Sequence, residues 1–241
     1  MRPVDWKQLD ERLNAVLGLR RGAVTITFSQ DAPGALPPYE ADMPSPSADG
    51  RTGKVPAGCV FWIEAQNRSF TTVPADHLNC SVGSVTHGLK RLHEVIDNED
   101  VRSLLECEWV TAGEAMQLPV IQQRPNYISY GPLAASTAPD VVLLRINAFQ
   151  AMMIHDAFPE ATFVGKPQCH IVSIAKEQGL IAISTGCMLS RVRTGMSPDE
   201  MTCAIPAGRL NHVIAKLERR REANALVGAY ANRDSRRFAR T

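Results

Sequence analysis

The chain has 241 residues, 44% of them apolar and 21% charged. That is enough for one large or two small domains around a buried core, and it excludes disorder over the whole length. Lys+Arg 26 against Asp+Glu 25 leaves a net charge of +1, without the bias expected of a general nucleic-acid or membrane-surface protein. Met1-Arg2-Pro3-Val4-Asp5-Trp6 carries no apolar run that would open a secretory signal. No stretch reaches the roughly 18 apolar residues that span a bilayer. These features predict a cytoplasmic protein. In such a compartment its six cysteines are thiols, metal ligands or catalytic groups rather than disulfides.

Trp6, Leu9, Leu13, Val16 and Leu17 recur at helical spacing, and Gly18 closes that helix. Val24–Phe28 reads as a strand. Residues 32–58 are rich in Pro, Gly, Ser and Asp, which predicts a long flexible loop or lid. Cys59–Ala65 opens a helix or strand, Ser69–Val73 is a strand, and Val85–Ile96 and Asn98–Met116 read as helical. Pro119–Gly131 looks irregular. Val141–Ile146 is the clearest strand; Ala148–Ala157 is helical, and Leu180–Ser184 is a short strand ending at Gly186-Cys187. Strands alternating with helices predict an α/β or α+β fold. A helix over about Asn211–Tyr230 begins a basic, frayed tail, 216–241, with eight Lys/Arg against three Asp/Glu. A solvated helix face explains that charge better than a nucleic-acid arm, because few aromatics accompany it.

Two stretches share one order of elements. Strand Val24–Phe28, Cys59, Ala65, a polar turn, strand Ser69–Val73 and Cys80 are matched by strand Val141–Ile146, Cys169, Ala175, a polar turn, strand Leu180–Ser184 and Cys187. This order predicts a single domain, 1–215, made of two pseudo-duplicated halves, about 8–97 and 139–215, packed about an approximate two-fold. Cys59, Cys80, Cys169 and Cys187 would then converge where the halves meet, a usual place for a pocket.

The runs Asp76-His77-Leu78-Asn79-Cys80-Ser81-Val82-Gly83, Pro139-Asp140-Val141-Val142-Leu143, Asn147-Ala148-Phe149-Gln150-Ala151-Met152 and Gly186-Cys187-Met188-Leu189-Ser190-Arg191, with Cys59 and Cys169, resemble the bacterial and archaeal family DUF169. The resemblance spans about residues 8–220. It implies a shared fold and shared cysteine positions, and no reaction.

Thiolates are soft ligands that favour iron–sulfur clusters, zinc or copper. The close C-x2-4-C pairs of structural zinc and the C-x-x-C of thioredoxin-type chemistry are both absent. Widely spaced cysteines at strand ends and helix starts suit a cluster built from distant loops. Cys80 and Cys187 form the strongest pair, since a helix N-terminus favours thiolate. Cys107, between Glu106 and Glu108, and Cys203, before Ala204-Ile205, read as packing residues. His77 and His87 flank Cys80 as candidate ligands or acid–base groups. Asp76 either orients His77 or caps a helix. Arg191 could hold an anionic ligand or be an ordinary surface arginine.

His170 follows Cys169 on what reads as a strand and so faces away from it. His93, His155 and His212 lie in helices as surface or satisfied groups. Walker A, G-x-G-x-x-G, H-E-x-x-H and G-x-S-x-G signatures are missing.

The expectation is a centre held by Cys59, Cys80, Cys169 and Cys187, most simply a [4Fe-4S] cluster, with zinc or copper as alternatives. It would act on a small substrate under the 32–58 loop. Two other readings stay open: a metal-free small-molecule-binding or accessory module with the same cysteines in its core, and a thiol enzyme using Cys80 or Cys187 with His77 or His87 as base. A homodimer is the default assembly for such a chain, with no membrane or nucleic-acid partner.

Overall fold

The structure, a computed structural model, describes residues 4–41, 46 and 50–238. It is a mixed α/β protein built on a seven-stranded sheet. Helix α1 (Trp6–Leu17) starts where the Asp5 side chain accepts the Gln8 N–H and stops at left-handed Gly18. Strand β1 (Val24–Ser29) follows, and then the loop that leads to α2 (Cys59–Glu64), β2 (Phe70–Thr72) and α3 (Ser81–Thr86). A helical insert carrying α4 (Glu99–Glu106) and α5 (Ala112–Met116) precedes β3 (Tyr127–Pro132). The second half runs β4 (Val141–Ile146), α6 (Ala148–Ala157), β5 (Thr162–Val164), α7 (His170–Ser173), β6 (Ala182–Ser184), α8 (Met188–Thr194) and β7 (Met201–Pro206). It ends in the long α9 (Leu210–Phe238).

The strand order is β2-β3-β1-β4-β7-β6-β5, antiparallel except for the β5/β6 edge. Outward from the β1/β4 seam the same arrangement recurs on both sides. Val24 pairs with Pro132 and Ser29 with Tyr127; likewise Val141 pairs with Pro206 and Ile146 with Met201. Phe70–Thr72 lies against Tyr130–Ile128 just as Ala182–Ser184 lies against Ala204–Thr202.

Alternation along the strands gives the sheet two covered faces. Val142, Leu144, Ile146, Ile183 and Ile205 pack under α1, α6 and α9, while Val141, Leu143, Ala182 and Ala204 pack under α2 and α7. The insert adds a small core of Val85, Val95 and Val101 on this second side, where α3 touches both α4 and α7.

Several elements differ from the sequence reading. β3 falls within the stretch read as irregular: Tyr-Ile-Ser-Tyr-Gly-Pro has no apolar run, and its pairing comes from β1 and β2. The unforeseen β7 likewise depends on neighbours, its four central residues, Thr202–Ile205, buried in the ladder. The helix expected over Val85–Ile96 instead starts at Ser81 and ends at Thr86. Gly88 there takes φ +71°, where a Cβ would stand 2.4 Å from the Ile121 carbonyl oxygen. The Asn98–Met116 helix is two short ones, and α9 runs eight residues past Tyr230.

The 32–58 loop is anchored along the β2 edge. Tyr39 N–H donates to the Thr71 carbonyl and Thr71 N–H to that of Pro37, with Tyr39, Val55 and Ala57 buried. Residues 42–45 and 47–49, the rest of the expected lid, lie outside the described residues.

Candidate functional site

Four helices begin on one face of the sheet, and a cysteine stands at the start of each. Cys80 and Cys187 are N-cap residues of α3 and α8, accepting the Gly83 and Ser190 N–H groups at Sγ, both at 3.4 Å. Cys59 is the first residue of α2, and Cys169 immediately precedes α7. All four line one cavity together with Gly58, Gly83, His87, Gln168, Ser190 and Arg193. The free space is about 30 Å³, room for one or two waters.

Burial sets the state of three of these thiols. It pushes Cys59 up to about 12, with Cys80 adding to the rise and the Ser190 hydroxyl opposing it. Cys169 lies well above the usual thiol range, by burial and then by neighbouring Cys80. Cys80 is raised as well, because burial outweighs its bond from Gly83 N–H and the charge of Arg193. The helix N-terminus therefore does not make Cys80 a thiolate, contrary to the expectation from its position. Buried neutral thiols are poor nucleophiles, and a bound cation would be needed to draw off their protons.

Three polar atoms around the cavity are buried without a partner: Arg193 Nη1, Gln168 Oε1 and His87 Nε2. Leaving such a group unmet costs about 1–3 kcal/mol. His87 Nδ1 lies 2.9 Å from the Gly83 carbonyl oxygen and so carries the proton, which makes Nε2 a lone pair. The cavity thus offers four sulfurs, one imidazole nitrogen and one amide oxygen as electron donors, beside a single guanidinium. Among the described residues, no three of His, Cys, Asp or Glu stand close enough to share one metal ion. A tetrahedral zinc, with Zn–S near 2.3 Å, needs sulfurs only about 3.8 Å apart.

The family model of the uncharacterised ArCR proteins, DUF169, matches residues 12–216, most of the chain. The chain belongs to the DUF169 family. No curated protein and no solved structure matches it.

Other candidate residues of this DUF169 chain separate from the cavity. His77 bonds the Thr72 hydroxyl at 2.9 Å and is not among the lining residues; Asp76 holds the Val73 N–H and Lys54 instead of orienting it. Arg191 does not await an anion: its guanidinium donates to the carbonyls of Ser197, Thr185 and Glu200. Cys169 and His170 sit at a helix start, not on a strand, and only Cys169 lines the cavity. His93, His155, His212 and Cys107 are exposed, and Cys203 is buried under the opposite face. Sequence reasoning missed Arg193 and Gln168. The available signal was helical spacing, since Arg193 lies three residues after Ser190 and shares its side of α8.

His77 provides a pH test of this packing. Burial, with His87 beside it, pushes its pKa down to about 3, so the folded protein keeps it neutral. The unfolded imidazole titrates near 6.5, and below that pH the unfolded state binds a proton that the fold refuses. Stability should therefore fall as the pH drops below about 6.5, by up to about 1.4 kcal/mol per pH unit for this residue. Urea unfolding midpoints between neutral and mildly acid pH read the slope. His77→Gln should flatten it by that share.

Proposed function

We propose that this protein binds a polynuclear metal centre, an iron–sulfur cluster of the four-iron type, through Cys59, Cys80, Cys169 and Cys187. The observation that carries the reading is the convergence of four helix-start cysteines on one cavity edged by unmet polar atoms. The matched strand registers support treating the two sides of the sheet as copies of one unit, each contributing two cysteines, with the first copy reaching past residue 97 to β3. Four thiols supplied by four separate helix starts suit a centre assembled from distant segments, which favours a cluster over zinc or copper. Arg193 would offset the negative charge of four thiolates, and His87 Nε2 and Gln168 Oε1 would face the same occupant. Such a centre supplies electron transfer or an iron-held substrate position. The raised thiol pKa of Cys80 speaks against that cysteine as a free nucleophile. Six unpaired thiols fit a reducing cytoplasmic setting, and Ala57 and Gly58 at the end of the 32–58 loop would close one side over a small substrate.

The test is the absorption spectrum, iron and acid-labile sulfide of protein expressed with both elements and purified without oxygen. The expected result is a broad visible band with stoichiometric iron and sulfide. A colourless, metal-free protein overturns the reading and leaves a metal-free binding module; zinc or copper alone keeps the site and overturns the cluster.

A further inference from the structure

Helix α9 buries Leu210, Val213, Ile214 and Leu217 against α1 and α6, and none of its described residues beyond Leu217 is buried. Residues 218–238 continue for about 30 Å at 1.5 Å per residue. Leu226, Val227, Tyr230 and Phe238 on this extension are 74%, 64%, 61% and 76% exposed. At 100° per residue they fall within one third of the helix circumference, with Arg219 and Arg237 on that same face and Arg233 at its edge. Lys216, Arg220 and Arg221 are engaged internally, on the carbonyls of Ala157, Asp156 and Ala15. A solvated helix carrying Gly228 and such a stripe is marginal alone, because most helical stability comes from packing. The family match also ends at residue 216, so the extension lies outside the matched region.

The complementary surface is in the same chain. The insert, 94–114, exposes Glu94, Asp97, Glu99, Glu106, Glu108 and Glu114 against one basic residue, Arg102, and the neighbouring Met116 is 73% exposed. It lies on the cysteine side of the sheet, whereas α9 packs on the other. A continuous helix cannot turn back around the sheet to meet its own insert.

We propose that the α9 extension of one copy docks on the acidic insert of a second copy, making a reciprocal dimer. Opposite charges set its register, and the Leu226–Tyr230 stripe supplies its apolar area. A nucleic acid fits less well, since residues 1–215 carry a net negative charge and only Tyr230 and Phe238 could stack on bases.

The experiment measures mass by light scattering on the full chain and two variants. One variant reverses the helix (Arg233→Glu, Arg236→Glu, Arg237→Glu) and the other reverses the insert (Asp97→Lys, Glu106→Lys, Glu108→Lys). Wild type should be a dimer that weakens with salt, and each variant alone a monomer. Mixed together they should form a heterodimer, because both contacts then pair opposite charges. A monomeric wild type, a dimer indifferent to either reversal, or two monomeric variants that fail to pair overturns the proposal. Circular dichroism of each variant separates loss of pairing from loss of folding. Retention of a monomeric wild type on heparin would assign the extension to nucleic acid instead.

Discussion

Replacing Cys80 or Cys187 by serine should abolish retention of iron and sulfide while leaving a folded protein. A serine hydroxyl caps a helix at least as well as a thiol, so the α3 and α8 starts survive and the cost of folding stays at about 1–2 kcal/mol. Cys203→Ser should behave in the opposite way. Its sulfur is fully buried under the α1/α6/α9 face, so an unpaired hydroxyl there costs about 1–3 kcal/mol with no effect on metal content. Metal analysis and urea unfolding of the three variants should therefore divide them into two classes. If Cys80→Ser and Cys187→Ser keep wild-type iron and sulfide, the cysteine-ligated reading is lost.

The largest expected loss of stability follows from Glu200. Only 8% exposed, its carboxylate accepts from Arg145 at 3.2 Å, Arg21 at 3.1 Å and the Ser197 N–H at 2.9 Å. Arg145 is itself 7% exposed and also reaches Thr194 at the end of α8. Glu200→Ala would leave that guanidinium buried without its partner, which costs about 3–5 kcal/mol. Arg145→Met combined with Glu200→Leu should recover most of it, since a buried pair contributes little beyond an apolar replacement. The pH dependence is fixed in sign. Burial would raise the Glu200 carboxyl, but the Ser197 N–H, Arg145 and Arg21 outweigh it and hold the pKa below the ordinary 4.5. The pair's contribution is complete above that value and disappears as the pH falls through the lowered folded pKa. Thermal melts of wild type and the double variant should lie close together near neutral pH and separate toward acid pH, with the wild type falling below the variant.

The strands and helices that anchor the cysteines could be read from sequence because their residues carry a period of their own. Val141–Leu144 is continuously apolar, with Ile146 beyond Arg145, and Asn147 and Gln150 form a capping box that fixes the start of Ala148–Ala157. β3 and β7 were not legible, since Ser129, Gly131, Thr202 and Ala204 acquire their strand character only from the ladders on either side. The same division runs through the site. The four cysteines announced themselves by spacing, whereas Gln168 and Arg193 are ordinary residues until the fold buries their polar atoms beside the thiols. Arg191 misled for the complementary reason, its carbonyl partners lying in the turns at Thr185, Ser197 and Glu200.

The four sulfurs differ in who supplies their hydrogen-bond donor. Cys80 and Cys187 take theirs from the main chain, at Gly83 and Ser190. Beside Cys59 and Cys169 stand side-chain hydroxyls instead, those of Ser190 and Thr86, which act against burial to lower the thiol pKa. Donors of this kind draw electron density from sulfur and shift the potential of whatever it binds. No substitution short of proline removes a main-chain N–H, while a single serine or threonine change removes a hydroxyl. Two sulfurs are therefore set by the backbone for as long as the fold persists, and two remain open to adjustment by mutation.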